Sequence, residues 1–294
     1  MYADFQARMA QVNDLLSVLN LLAWDARTQM PPGGNATRGN QVATLTNLAR
    51  DLVTGAEMRD AIASAREEVS RSGDAMATRA LDQAEAGIDT LARIPAQLVG
   101  EMAELKSVAH AAWADARARN DFGAYAPVLD RIFAIQRQIA KAIGYADHPY
   151  DAMLSLYEPG MTLKQLHSVL NPLRAALVPL AQQALDAPAP RMDFLSRAYP
   201  IAGQKAFGMK VAEAFGYDVQ RGRLDDTVHP FEISFTRNDV RITSRFRETW
   251  LPGGVFALWH EAGHGIYDYR FHAAQVRIVV AMLHLEDIHI IAMA

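Results

Sequence analysis

The segment His260-Glu261-Ala262-Gly263-His264 sets two imidazoles four residues apart with a carboxylate between them. On a helix, residues four apart share a face, so both rings can aim a nitrogen at one metal ion. Zinc suits imidazole, and an open zinc position binds water and lowers its pKa towards neutral. Glu261, one residue along, can take a proton from that water and pass it to a leaving amine. This chemistry needs no nucleophilic side chain, and the chain has no cysteine. The competing reading is a surface helix that happens to carry two histidines. Gly263 and Gly265 lower helix stability, a cost explained either by a ligand approaching the backbone or by tight helix packing.

A second set of candidates precedes this helix. If the segment from Asp239 to Arg247 is a strand, then Asp239, Arg241, Thr243, Arg245 and Arg247 share one face. Three arginines there could hold a carboxylate by paired hydrogen bonds; otherwise the face is solvated and balanced by Asp239 and Glu248. His229, before Pro230, is either a substrate or supporting group or a histidine satisfied locally. Trp24 and Asp25 read as a structural pair, since a buried Trp needs only one acceptor.

The elements that must position these residues are mostly helices. Phe5, Met9, Val12, Leu15, Leu16 and Leu19 recur on one face until Met30-Pro-Pro-Gly-Gly34 breaks the pattern. Strong helix formers fill 36–54, 57–72, 75–92, 96–118 and 122–144. Tyr157 to Thr162 reads as a turn, and Thr162 with Gln165 forms a capping box opening a helix to about Leu185. Residues 186–193 read as a loop, and a helix over 201–215 ends near Gly216. From Arg223 the composition turns β-branched and aromatic. His229 to Phe246 predicts a β-hairpin turning at 237–239 within the segment 223–250, and the helix 255–270 follows. The expected fold is mainly α, a single large helical domain over 1–294 with a small hairpin beside the zinc helix.

Half of the 294 residues are hydrophobic, ample for a large core. The net charge of -4 and the scattered basic residues give no reason to expect nucleic acid or an anionic membrane as partner. No stretch is apolar enough to span a bilayer and the start lacks signal-peptide character. With the absence of cysteine, this fits a cytoplasmic protein.

Together, the segments LLAWDARTQMPPGG, YEPGMT, DDTVHPFEISFTRNDVRITSRF and HEAGHGIYD resemble the carboxypeptidase Taq family of zinc metallocarboxypeptidases, in the family's order and to about Arg270. The resemblance implies a helical fold with a long groove, release of single residues from peptide C-termini, homodimers, and zinc or cobalt as the metal. It makes His260 and His264 metal ligands, Glu261 the general base, and places His229 and Arg241 near the substrate. Family members are longer and carry a glutamate third ligand after the zinc helix. The expectation is therefore a C-terminally incomplete form whose tail, 272–294, departs from the family pattern. Within that tail Glu286 is the nearest carboxylate of suitable type, with His284, Asp287 and His289 as rivals. Two other readings remain: a helical metallo-oligopeptidase, or an inactive helical protein with a residual metal site. Apolar surface left uncovered by a missing part is expected to promote association.

Overall fold

The computed structural model describes residues 1–270. Amphipathic spacing builds its first half. Helix α1 (Tyr2–Thr28) buries Phe5, Met9, Val12, Leu16 and Leu19, the stripe expected from the sequence. The proline-glycine stretch ends it, and Pro32–Gly34 form a single 3-10 turn. Then come α2 (Asn35–Thr54), α3 (Ala56–Ser72), α4 (Ala75–Arg93), α5 (Ala96–Arg119) and α6 (Phe122–Ile143), all close to their expected bounds. Their ends have local causes. Asp74 caps α4 by accepting from the N–H groups of Met76 and Ala77, and Asp121 caps α6 by accepting from that of Ala124. Asn120 closes α5 in the left-handed region at φ 53°.

These six helices share one core, in which Phe5, Met9, Leu81, Leu91 and Ile139 are fully buried. Each such side chain contributes about 1.5–3 kcal/mol on leaving water. A short helix, α7 (Pro149–Leu154), was not expected from the sequence. His148 caps it, accepting from the Tyr150 N–H while the Asp151 carboxylate accepts from the His148 N–H. Asp151 also accepts from the Leu163 N–H at 2.7 Å, fixing the start of α8 (Leu163–Asp186). The Thr162–Gln165 capping box is present there. Beyond its start, α8 projects from the fold and buries none of its side chains among the described residues.

A 3-10 turn at Asp193–Ser196 and helix α9 (Ile201–Phe215) lead to the sheet. The expected hairpin is β2 (Glu232–Thr236) with β3 (Asp239–Ser244), antiparallel, Ile233 opposite Arg241. A strand that was not expected, β1 (Leu224–Asp226), runs parallel to β3 on its other side, giving the order β1-β3-β2. Helix α10 (Leu251–Arg270) packs on the sheet and on α9. The opposite face meets α1, where Ser17 Oγ donates to the Phe235 carbonyl at 2.8 Å and Asn20 Nδ2 to that of Ser234 at 3.0 Å. The sheet is thus held between the first helix and the last described one.

One expectation is corrected here. The charged face from Asp239 to Arg247 does not persist, because β3 ends at Ser244. Thr243 is buried, its hydroxyl accepting from the Phe231 N–H and donating to the Phe231 carbonyl. Arg245 and Arg247 lie beyond the strand, and Arg245 donates to the Val228 carbonyl at 3.3 Å.

Candidate metal centre

Leu258 and Ala262 of α10 are fully buried with Ala212, Tyr217 and Ile242. They point the helix's apolar stripe at the sheet, which leaves His260 and His264 on the exposed face. The close fit explains one of the two glycines. A Cβ on Gly265 would sit 3.1 Å from the Tyr217 ring and 3.2 Å from Val240 Cγ1, tighter than ordinary contact. Gly263 faces open space.

The imidazole rings of His260 and His264 stand nearly perpendicular, with their Nε2 atoms 3.2 Å apart. Two nitrogens bound to one tetrahedral zinc at ordinary bond lengths lie about 3.3 Å apart. The donor pair therefore fits a shared ion, although the same spacing also suits a hydrogen bond between two neutral rings. Glu261 turns inward between them and is buried. Burial pushes its carboxyl up to about 7, opposed by a hydrogen bond from the Glu232 backbone. A group poised there can take and release protons near neutrality. Among the described residues, no group of three or more His, Asp or Glu side chains could hold a metal ion. The third-ligand candidates Glu286, His284, Asp287 and His289 lie outside the described residues.

The other two candidates stand apart from the imidazole pair. Val240 and Ile242 of β3 face α10, so Arg241 between them points to the other side of the sheet. There it forms a bidentate pair with Asp239, and its guanidinium carbon lies 4.4 Å from the Trp24 ring and 4.7 Å from that of Phe235. His229 stands edge-on to Trp113 of α5, centroids 6.2 Å apart, with Nδ1 2.8 Å from the Pro230 carbonyl. Trp24 is structural, as expected, but not in the expected way. It is buried against Phe231 and Phe235 and holds Arg241 on its ring, while its indole N–H has no protein acceptor. Asp25 pairs instead with Arg38 of α2 at 2.7 Å.

Sequence reasoning missed Ser234 and Asp268. The Ser234 hydroxyl on β2 contacts the Glu232 carboxylate and that of Asp268, joining the hairpin to the last turns of α10. Asp268 lies four residues beyond His264, and the i, i+4 pattern running on from the histidines was the available signal.

The comparisons show the family of the chain. The family model described as "Carboxypeptidase Taq (M32) metallopeptidase" matches residues 4–286, and the chain belongs to that family. The match continues past Arg270, where the motif resemblance ends. Among curated relatives, Thermostable carboxypeptidase 1 of Thermus thermophilus is 34% identical over 280 residues, 90% of this chain and 54% of its own length. Carboxypeptidase 1 of Bacillus subtilis is 30% identical over 266 residues, covering 90% and 53%. The solved M32 carboxypeptidase from Deinococcus radiodurans R1 superposes with a TM-score of 0.78 at 34% identity, over 91% of this chain and 54% of that one. The crystal structure of BsuCP gives 0.87 at 30% identity, over 92% and 54%. The chain spans about half the length of the curated relatives it matches. No helix of the described residues is long and apolar enough to cross a membrane.

Proposed function

We propose that this chain carries the metal-binding half of a metallocarboxypeptidase site, which releases C-terminal residues from peptides. The single observation behind this reading is the pair of exposed Nε2 atoms 3.2 Å apart on a helix that also buries Glu261. His260 and His264 would hold the metal, zinc or alternatively cobalt, and its bound form would supply an acidified water and a polarised peptide carbonyl. Glu261 accepts the proton of the attacking water at its carboxylate and delivers it to the departing amine. Tyr217, Val240 and Ile242 fix the helix from below, and Ser234 with Asp268 fixes its end. His229 and Arg241 remain the proposed substrate-side residues. Arg241, on the sheet face opposite α10, would act indirectly, by bracing the hairpin through Trp24 and Asp239. A homodimer, which the family resemblance implies, and a cytoplasmic setting, which the cysteine-free sequence fits, complete the reading.

The test is bound zinc after dialysis, by plasma mass spectrometry, together with residue release from a peptide with a free C-terminus. The expected result is retained zinc in the chain and in Glu261→Gln, with release abolished only in the variant. Equal release from an amidated peptide would turn the reading towards an oligopeptidase. No retained metal and no release would sink the claim of activity for this chain.

A further inference from the structure

The two arginines that follow strand β3 meet a third from helix α5. Arg245 donates to the Val228 carbonyl at 3.3 Å, and Val228 packs against the cluster of Trp113, Ala116 and Tyr125. Arg117 lies over the Trp113 ring, its guanidinium carbon 5.0 Å from the centroid. Such a stack consumes none of its N–H donors. Arg247 is fixed at its base, where its carbonyl accepts from Nε2 of the buried Gln204 at 2.9 Å. His229 stands edge-on to the same indole. Each cation is anchored, yet none of the three arginines pairs with a carboxylate among the described residues.

Two observations set this cluster apart from a solvated face. Acids outnumber bases in the chain, 33 to 29, and the neighbouring Arg119 pairs with Asp115 and Asp121 at 2.6 and 3.1 Å. The three clustered arginines are left without such partners although like charges repel. Partial burial, and then the charges of Arg247 and Arg117, hold the Arg245 guanidinium below its ordinary value. The second observation lies beneath them. Trp113 and Tyr125 are 2% and 3% exposed, and neither the indole N–H nor the phenol hydroxyl has a protein partner. Buried Trp and Tyr normally bond these groups. Charges and donors alike call for a negatively charged ligand rich in acceptor oxygens.

The cluster adjoins the imidazole pair. The Glu232 N–H donates to the Glu261 carboxylate. His229 is three residues before Glu232, so at most about 10 Å of chain separates them. An extended peptide covers that span in about three residues. A carboxypeptidase substrate has a single residue beyond the cleaved bond, so a ligand group at that distance belongs to its amino side. Resting on the peptidase reading of the imidazole pair, we propose that Arg117, Arg245 and Arg247 form an anion subsite. It holds the side-chain carboxylate of an acidic residue a few positions before the cleaved bond, and so favours acidic peptides.

The test is binding rather than turnover, by titration calorimetry on the full 294-residue chain in EDTA at low ionic strength. Four alanine-based hexapeptides serve as probes. They carry glutamate or glutamine at the third and fourth residues from the C-terminus, each with a free or an amidated end. Glutamate should bind about tenfold or more tighter than glutamine, whichever end is present. Arg117→Gln and Arg245→Gln should each remove most of that preference. Arg119→Gln deletes the same charge from an arginine already paired, and should leave the preference intact. All three side chains are exposed, and circular dichroism should show folding unchanged. Four results would overturn the proposal. One is equal or absent binding of the glutamate and glutamine peptides. Another is a preference that survives both arginine substitutions, and a third is one that Arg119→Gln reduces as much. The last is dependence on the free end in place of glutamate, which would make the ligand the terminal carboxylate. Zinc retention by the arginine variants should match the parent's. Zinc lost with the preference kept fails the metal site alone, and the reverse fails this subsite alone.

Discussion

The bundle of α1 to α6 and the layer of sheet, α9 and α10 are built on different principles. The bundle encloses a large continuous core whose members, from Phe5 to Ile139, are shut off from water on every side. The layer has a much smaller apolar cluster, Ala212, Tyr217, Ile242, Leu258 and Ala262, and exposes Phe207, Phe215, Phe256 and Tyr267. The candidate metal ligands belong to the second region, on the outer face of α10. Chemistry needs access, and an exposed helix face provides it; the cost is a shallow foundation. The contacts that join the two regions include the bonds from Ser17 and Asn20 to β2, the stack of Arg241 on Trp24 and the edge contact of His229 with Trp113. Stability and metal binding should therefore respond to different substitutions.

The largest effect should come from the bundle. Leu91 is fully buried, and Leu91→Ala should lower unfolding free energy by about 2–5 kcal/mol. If the regions are separable, zinc retention by the folded fraction stays unchanged, as measured by dialysis well below the melting temperature. A parallel loss of zinc would merge the two regions into one cooperative unit. The reciprocal change is His264→Ala. The ring is exposed, so stability should move by less than about 0.5 kcal/mol. Zinc affinity, read by competition with a chelating dye, should fall by a hundredfold or more, on the order of 3 kcal/mol. Affinity within threefold of the parent would remove His264 from the ligand set.

The same contrast explains what could be read from the sequence. The bundle was legible because apolar spacing and caps are local: residues 36–54 became 35–54, and Thr162 with Gln165 formed the box that their types announce. The imidazole pair was legible for the same reason, being one helical turn apart. What escaped depends on contacts across the chain. β1 is three residues, two of them acidic, and becomes a strand only because β3 offers an edge. Arg241 sits in a run that reads as a solvated charged face, yet the sheet is covered on both sides. It is Trp24, from the first helix, that fixes where the guanidinium goes. Helix α7 is the exception, missed although its signal is local: Pro149 opens it and His148 and Asp151 close a reciprocal capping box around its first turn.

Within the thin layer, Gly265→Ala probes the fit between α10 and the sheet. Alanine improves helix propensity by up to about 1 kcal/mol, but its methyl must displace the Tyr217 ring or Val240. Tyr217 is pinned by its hydroxyl bond to the Val240 carbonyl at 2.7 Å, so neither neighbour yields freely. Overpacking of this kind costs about 1–3 kcal/mol, which leaves a net loss near 1 kcal/mol. A gain in stability would show that the layer is looser than the bundle in packing as well as in depth.

The smallest and most specific effect belongs to Tyr217 itself. Removing its hydroxyl in Tyr217→Phe should cost about 1 kcal/mol at neutral pH, from the lost bond to the Val240 carbonyl. Burial, reinforced by Tyr269, raises the phenol well above its ordinary value, so the folded chain keeps the proton after the unfolded chain has begun to lose it. The unfolded state then binds fewer protons, and stability must fall as pH rises beyond about 10, by about 1.4 kcal/mol per unit for this group. Below that pH the contribution is complete and flat. Phenylalanine has no proton to lose, so the parent's advantage should be constant from pH 7 to 9 and vanish near pH 11. Urea unfolding of both chains across that range measures the difference directly, and tyrosines other than the coupled Tyr269 cancel because both chains share them. An advantage that persists unchanged at pH 11 would mean that the Tyr217 site admits water. The shallow foundation of α10 would then be wetter than its close contacts with Gly265 and Val240 imply.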